Sequence, residues 1–121
     1  MKNSYKFGKE SEAFAAKYLK KKGYKIIEQN YRNRIGEIDI IAKDRDSLVF
    51  VEVKARNSNY FGSAKWGVTQ TKQKKISMVA VQYLKETNQV NTKARFDVVA
   101  INLRDEHTDI EIIKNAFNLA F

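Results

Sequence analysis

Two stretches of the chain carry apolar residues at helical spacing. The first predicted helix runs from Ser4 to Lys22, and Gly23 follows it as a C-terminal stop. The second predicted helix runs from Thr69 to Thr87. The apolar stripes consist of Phe7, Phe14, Ala15, Tyr18 and Leu19 in the first helix, and of Ile76, Val79, Ala80, Tyr83 and Leu84 in the second.

Other stretches are rich in apolar and β-branched residues and predict strands. They are 24–31 (YKIIEQNY), 35–42 (IGEIDIIA), 48–55 (LVFVEVKA), 94–103 (ARFDVVAINL) and a short strand at 109–114 (DIEIIK). The third of these begins with an unbroken apolar run, which indicates a central strand covered on both faces. A short polar turn separates the second strand from the third, so these two strands are expected to form an antiparallel hairpin.

The element order α-β-β-β-α-β-β predicts an α/β fold in which a central mixed β-sheet is flanked by helices. A chain of 121 residues is long enough for one domain, spanning 1–121, and too short for two. Between the third strand and the second helix, residues 56–67 (RNSNYFGSAKWG) predict a long loop. Loops of that length in compact domains are often functional.

The composition restricts the chemistry that the chain can perform. Because it has no cysteine, it has no disulfide, zinc–thiolate site or thiol nucleophile, and it fits a reducing compartment. The single histidine, His107, lies in a polar stretch that predicts an exposed turn. Because the chain has no cysteine and only one histidine, any catalysis must use carboxylates and lysines.

No signal peptide or membrane-spanning run is recognisable, so a soluble, cytoplasmic protein is expected.

The net charge of +9 comes from 23 Lys and Arg residues against 14 Asp and Glu residues. An excess of this size in a small domain favours a polyanionic partner such as nucleic acid. A solubilising surface and attraction to an anionic membrane are the alternatives. A membrane-binding helix would need bulky apolar residues to spare, and those of both predicted helices are needed for the core.

Carboxylates from neighbouring strands are expected to meet. Residues two apart on a strand share a face, so Glu52 and Lys54 point the same way on the third strand. On the second strand, the same period predicts that Glu37 and Asp39 share one face and that Ile38 and Ile40 share the opposite face. In a hairpin, Asp39 and Glu52 can be cross-strand neighbours within reach of one cation. Two hard oxygen ligands without histidine or thiol suit Mg²⁺ or Mn²⁺ better than Zn²⁺.

The alternative interpretation is an ordinary salt-bridged sheet face, in which Glu52 and Lys54 form a solvated pair. Structural ion pairs of this kind are common and imitate functional clusters. However, Glu52 interrupts a strand that is otherwise nearly all apolar, and it shares a face with Phe50. A charge placed there needs a partner or a metal, because burying it alone is costly.

The predicted helices add an acid and a base. Glu12 lies at the edge of the first apolar stripe, where it is either a rim residue paired with a lysine or an outer ligand that holds a metal-bound water. Lys72 and Gln73 extend the second stripe toward the start of its helix. A basic helix start after a long loop is a plausible phosphate contact, and a solvated helix end is about as plausible.

Together these residues resemble the PD-(D/E)XK nuclease superfamily, and most closely the YraN-like family of bacterial proteins, which is itself similar to archaeal Holliday-junction resolvases. The resemblance covers nearly the whole chain. Its motifs are GKESEAFAAKYLKKKGY, NYRNRIGEIDIIA, LVFVEVKAR, VTQTKQKKISMVAVQYL and RFDVVAI. The most specific part is GEIDIIA followed by VFVEVKxR. The superfamily's fold, a central mixed sheet with flanking helices, agrees with the predicted element order.

The resemblance implies catalytic roles for Asp39, Glu52 and Lys54, which match the superfamily's aspartate and its E-x-K motif. Glu12 matches the acidic residue of the first helix, and Lys72 matches the basic residue of the second. Ile38 stands where the superfamily often has proline, at a position that bears no ligand.

The expected cofactor is Mg²⁺, with Mn²⁺ as a substitute, held by Asp39, Glu52 and the Val53 carbonyl. The residues expected to contact nucleic-acid phosphates are Arg32, Arg34, Arg56 and Lys72. The expected function is metal-dependent endonuclease cleavage of DNA, in a form that could be specific for junctions or flaps. A nucleic-acid-binding protein that does not cleave is the alternative, and an RNA- or ribosome-associated basic protein is a weaker one. A resolvase-like role would require a homodimer.

Overall fold

The computed structural model describes residues 4–57, 68–104 and 107–119. Its elements are α1 (Ser4–Lys21), β1 (Lys25–Arg32), β2 (Glu37–Asp44), β3 (Ser47–Asn57), α2 (Gln70–Glu86), β4 (Ala94–Arg104) and β5 (His107–Phe117). The predicted order α-β-β-β-α-β-β is confirmed. Neither helix, within these ranges, combines the length and apolar character that crossing a membrane requires.

The strands form one five-stranded sheet in the order β1-β2-β3-β4-β5. β3 and β4 are parallel, and the other neighbouring strands are antiparallel. The sheet is therefore mixed, as predicted, with β3 at its centre. The crossover from β3 to β4 contains α2, because parallel neighbours cannot be joined by a tight turn.

Each helix covers its own face of the sheet. The buried cluster under α1 contains Ala15, Ala16, Leu19, Tyr24, Ile40, Ala42, Val49, Val51, Val99 and Ile101. The buried cluster under α2 contains Ile38, Ile41, Leu48, Phe50, Val68, Ile76, Val79, Ala80, Tyr83, Phe96 and Val98. Successive residues of β3, from Leu48 to Val51, alternate between the two clusters. This confirms that β3 is a central strand covered on both faces.

A buried polar network ties together the end of the sheet where β3 and β4 begin. The Asp97 carboxylate is fully buried and accepts hydrogen bonds from the Tyr24 hydroxyl at 3.0 Å and the Arg95 Nε at 3.0 Å. It also accepts one from the Asn115 backbone nitrogen at 3.1 Å. Arg95 donates in addition to Asp44 at 2.7 Å. These bonds join β2, β4 and β5 to Tyr24, the residue before β1, and compensate the buried charge.

Two predicted boundaries were wrong. β3 continues through Arg56 to Asn57, so the predicted loop starts too early, and residues 58–67 lie outside the described ranges. β5 is not short: it has 11 residues and begins at His107, which pairs with Arg104 and is exposed as expected. Thr108 and Asp109, the polar residues that follow His107, belong to an edge strand, where the backbone ladder tolerates solvated side chains.

Candidate metal centre

Asp39 lies on β2 at the point where the regular pairing with β3 ends. The last registered pair of these two strands in this direction is Ile40 with Val51. Beyond it, the Val53 backbone nitrogen donates a hydrogen bond to the Asp39 carboxylate at 2.8 Å. A side chain thus takes over the role of a ladder carbonyl, and the half-buried Asp39 is fixed against the backbone of β3.

One expectation about this strand was wrong. Ile38 and Ile40 were predicted to share the face opposite to Asp39, but Ile38 packs in the cluster under α2 and Ile40 in the cluster under α1. The side chains of β2 therefore do not alternate strictly between the two faces of the sheet around Asp39. On the neighbouring strand, Asn30 adopts φ 55°, in the left-handed region. Asn30 and Asp39 both lie between the registered pairs Gln29–Ile40 and Tyr31–Ile38.

Glu52 is the buried acid of the site, with its side chain only 8% exposed. Its carboxylate receives an ion pair from the Lys72 Nζ at 2.7 Å. Among the described residues, Lys54 forms no ion pair with Glu52 or with any other carboxylate. The alternative of a Glu52–Lys54 pair is therefore wrong: the charge of Glu52 is balanced from α2 and not along its own strand.

The two sheet carboxylates interact directly, as the hairpin predicted. Burial raises the pKa of Asp39 most, and a hydrogen bond with Glu52 and the charge of Glu52 raise it further, to about 8. The Val53 N–H opposes this shift, and the charge of Glu12 adds to it. Two carboxylates this close cannot both be ionised cheaply, so they share either a proton or a cation.

The start of α2 places Lys72 at the site. The Thr69 hydroxyl oxygen caps the helix by accepting a hydrogen bond from the Lys72 backbone nitrogen at 3.2 Å. The Gln73 amide donates to the Val68 carbonyl at 2.7 Å and fixes the same turn. Burial lowers the pKa of Lys72, but its bond with Glu52 and the charges of the nearby carboxylates outweigh burial and raise it. Lys72 is therefore protonated, and its side chain remains 53% exposed.

Glu12 extends from α1, and its charge acts on Asp39. It is half-buried, as expected for a residue at the edge of the apolar stripe. Its Oε1 lies 2.7 Å from the side-chain amide nitrogen of Asn30. The nitrogen and oxygen of this amide are assigned from the groups that they face, so that the nitrogen donates to Glu12. Sequence reasoning missed Asn30. The available signal was an asparagine inside a predicted strand, since asparagine is depleted in strands and tolerates the left-handed region.

The three arginines expected to contact phosphates are placed differently. Arg32 forms an ion pair with Glu37 at 2.8 Å, and its side chain is 75% exposed. Arg34 is exposed on the segment between β1 and β2. Arg56 is half-buried near the end of β3, two residues beyond Lys54 on the same strand. Of these three arginines, only Arg32 and Arg34 are exposed to solvent, and the charge of Arg32 is partly neutralised by Glu37.

The donor set fits a hard divalent cation held by few protein ligands. Within the described ranges, no group of three histidine, cysteine or acidic side chains is arranged to hold a metal. Asp39 and Glu52 nevertheless supply two adjacent carboxylates, and the Val53 carbonyl belongs to the residue whose N–H is tied to Asp39. Mg²⁺ commonly uses one or two carboxylates and keeps several waters, so two such ligands are enough for it.

The comparisons with known proteins identify a family. The family model described as "Uncharacterised protein family UPF0102" matches residues 11–101. The chain belongs to the UPF0102 family. The UPF0102 protein of Desulfosudis oleivorans is 49% identical over 112 residues, which cover 93% of this chain and 89% of the relative. That of Syntrophus aciditrophicus is 49% identical over 121 residues, which cover 100% of this chain and 95% of the relative. That of Geobacter metallireducens is 45% identical over 114 residues, which cover 94% of this chain and 93% of the relative.

Membership in the UPF0102 family extends over the candidate metal centre, since the matched region 11–101 contains Glu12, Asp39, Glu52, Lys54 and Lys72. The likeness to the YraN-like family drawn from the sequence motifs is thereby confirmed at the level of the family. The wider relation to PD-(D/E)XK nucleases and to junction resolvases stays a prediction.

Proposed function

We propose that this UPF0102 protein is a metal-dependent endonuclease that hydrolyses phosphodiester bonds in DNA. The observation that carries the proposal is the meeting of Asp39 and Glu52 where the pairing of β2 with β3 ends: the Val53 N–H holds the Asp39 carboxylate against β3, and the interaction of the two acids favours a shared cation. Lys72 borders the pair, and Lys54 follows Glu52 on the same strand face. Two adjacent acids with a lysine on the same strand are also the arrangement that the PD-(D/E)XK likeness implies.

In this proposal Asp39, Glu52 and the Val53 carbonyl hold Mg²⁺, or Mn²⁺ in its place. The bound cation would polarise the scissile phosphate and lower the pKa of a bound water. Lys54 orients or deprotonates the attacking water, or neutralises charge that develops on the phosphate. The water oxygen forms the new bond to phosphorus and gives up its proton to Lys54 or to solvent, while the P–O ester bond breaks and the leaving oxygen takes up a proton from solvent. Glu12 holds an outer water through its carboxylate.

The basic residues around the site would hold the DNA backbone. When a cation balances Glu52, Lys72 is no longer required for that purpose, and its half-exposed ammonium can reach a substrate phosphate. The exposed arginines Arg32 and Arg34 add phosphate contacts, and Arg56 does so from the end of β3. Phosphate contacts carry no base readout, so we expect recognition of DNA shape, such as a junction, a flap or an end.

A specific observation favours a second function, binding of nucleic acid without cleavage. Lys72 already balances Glu52 at 2.7 Å, so the buried acid is satisfied without a metal. The net charge of +9 would then serve binding alone. RNA is the other polyanion that such a protein could bind, and the cytoplasm, which the absence of cysteine fits, holds both.

The experiment that tests the proposal is a cleavage screen with the purified chain. Four-way junctions, flaps, linear duplexes, single strands and RNA are incubated with Mg²⁺, Mn²⁺ or chelator, and the oligomeric state on DNA is measured by sedimentation. Metal-dependent cutting of one or more DNAs supports the endonuclease. Tight binding with no cutting in any metal replaces it with the binding function. Preference for RNA over every DNA overturns DNA as the substrate.

A further inference from the structure

The backbone of β1 changes conformation directly opposite Asp39. Asn30 has φ 55° and lies between Gln29, which pairs with Ile40, and Tyr31, which pairs with Ile38. On β2 at the same level, the buried side chains switch from the cluster under α1 at Ile40 to the cluster under α2 at Ile38. The break therefore affects both strands at one point. As a result, Asp39 lies where residues of both helices, Glu12 and Lys72, interact with it electrostatically.

The Asn30 side chain occupies the space between this break and α1. Its amide nitrogen lies 2.7 Å from the Glu12 Oε1, and its amide oxygen accepts from the Lys9 Nζ at 3.3 Å. One planar amide thus contacts two residues that are three apart on α1 and share a helix face. Asparagine combines the two properties that this position needs, because it tolerates the left-handed region and carries both a donor and an acceptor.

A neutral donor has a different effect on Glu12 than an ion pair would have. A lysine paired with Glu12 would cancel its charge and draw it toward solvent. An amide donor holds one carboxylate oxygen in place and leaves the negative charge available on the other. A long glutamate side chain on a helix rim otherwise samples several rotamers, and fixing it costs side-chain entropy at the moment of binding.

We propose that Asn30 is the positioning residue for Glu12: held in the left-handed conformation opposite Asp39, it donates its amide to Glu12 and directs that carboxylate toward the Asp39–Glu52 pair. This inference rests on the proposed function insofar as the pair holds a divalent cation. Asn30 acts on the site only through Glu12 and contacts neither the cation nor the substrate. Partners that orient such groups change metal affinity by about 10- to 100-fold in other proteins.

The chain offers matched variants for a test. Asn30→Gly keeps the left-handed backbone accessible and removes only the amide, whereas Asn30→Asp replaces the donor with a carboxylate that repels Glu12. Asn88 also has φ 55° and is exposed after the end of α2, so Asn88→Gly is the same chemical change away from the site. Thermal melting of all variants verifies that they are folded before any binding is compared.

The decisive measurement is a double-mutant cycle in Mn²⁺ affinity, determined by calorimetry on the unmodified chain, Asn30→Gly, Glu12→Gln and the double variant. If Asn30 acts through Glu12, Asn30→Gly weakens Mn²⁺ binding about 10-fold, and the double variant binds no more weakly than Glu12→Gln alone. Asn88→Gly leaves the affinity unchanged, and Asn30→Asp weakens it at least as much as Asn30→Gly. Additive losses in the cycle, or an unchanged affinity in Asn30→Gly, overturn the assignment.

A second readout tests the contact without any metal. In the nitrogen–proton NMR spectrum, the side-chain amide protons of Asn30 are expected to shift when Glu12 is changed to Gln, and those of Asn88 are not. Unmoved Asn30 signals overturn the proposed contact. A chain that binds Mn²⁺ with the expected coupling but cleaves no DNA overturns the endonuclease alone. A chain that binds no Mn²⁺ overturns the metal centre and the role of Asn30 in it.

Discussion

The Val53 backbone nitrogen donates its hydrogen bond to the Asp39 carboxylate, at 2.8 Å, and not to a carbonyl of β2. This bond places an acidic side chain beside Glu52, which precedes Val53 on β3. It also orients the peptide unit that joins Glu52 to Val53, the residue whose carbonyl is a proposed ligand. One side chain therefore closes the end of a strand pair and assembles the candidate metal centre.

The first prediction is that metal binding depends on Asp39 and Glu52 jointly. If both carboxylates bind the same ion, Asp39→Asn and Glu52→Gln each weaken Mn²⁺ binding, and the double variant loses less than the sum of the single losses. Calorimetry on the folded variants provides the measurement. Full-strength binding in the double variant would place the metal elsewhere on the chain.

The second prediction concerns pH. The pKa of Asp39 is raised from 3.8 to about 8 in the folded chain, so the native state holds a proton that the unfolded chain releases near pH 4. In metal-free buffer the free energy of unfolding should therefore fall as the pH rises from 4 to 8, by at most about 1.4 kcal/mol per pH unit. Asp39→Asn removes this slope.

Urea unfolding of both chains between pH 5 and 8, with chelator present, measures the effect. The difference between the two stability curves is informative, because titrating groups that do not interact with Asp39 contribute equally to both. Added Mn²⁺ should stabilise the unmodified chain most at the high end of this range, where the proton no longer competes with the cation. Parallel curves for the two proteins would show that Asp39 is ionised throughout.

The third prediction separates Lys54 from Lys72. Because Lys72 balances the buried Glu52 and is itself half exposed, Lys72→Ala should lower the free energy of unfolding by about 1–2 kcal/mol. Lys54 balances no described carboxylate, so Lys54→Ala should change stability by less than about 0.5 kcal/mol. In the proposed chemistry, however, Lys54→Ala slows single-turnover cleavage by about 10²–10³-fold without weakening DNA binding.

Lys54→Arg is the matched control, since it keeps the charge but changes the geometry and cannot act as a base. Retained cleavage in Lys54→Arg would restrict the role of Lys54 to its charge. Wild-type cleavage in a Lys54→Ala protein would remove Lys54 from the chemistry altogether.

The fourth prediction concerns the buried polar network around Asp97. Arg95→Ala leaves the fully buried Asp97 carboxylate without its cation, and should destabilise the protein by about 3–5 kcal/mol. The control is Lys93→Ala, which breaks an exposed pair with Asp46 at 3.5 Å and should cost less than about 1 kcal/mol. Chemical unfolding compares the two. Equal effects would mean that the network around Asp97 does not stabilise the fold.

Much of the fold could be predicted from the sequence because its patterns are local. The alternation in LVFVEVKA correctly predicted a strand covered on both faces, since the residues from Leu48 to Val51 alternate between the two buried clusters. Binding of Asp39 to the Val53 N–H could not be predicted, since it depends on where the ladder between two strands ends. The left-handed Asn30 and the switch between Ile40 and Ile38 also arise from tertiary packing, which overrides a strict two-residue period.

The partner of Glu52 shows the same limit. Within the strand, Lys54 was the obvious cation, because it lies two residues away on the same face. The structure instead brings Lys72 from the first turns of α2, a contact between residues separated by the whole crossover. Sequence spacing describes neighbours on one element well, but it contains no information on which residue of a distant helix reaches the site.

The most direct test of the central claim, that Asp39 and Glu52 form a hydrolytic metal centre, is single-turnover cleavage of the best DNA substrate by the unmodified chain and by Glu52→Gln. Both proteins are used in excess over DNA, with Mn²⁺ present and with chelator as the blank. We expect metal-dependent cutting by the unmodified chain and a rate at least about 100-fold lower in Glu52→Gln. Cutting at the same rate by both proteins, or intact DNA with the unmodified chain under every metal condition, would contradict it.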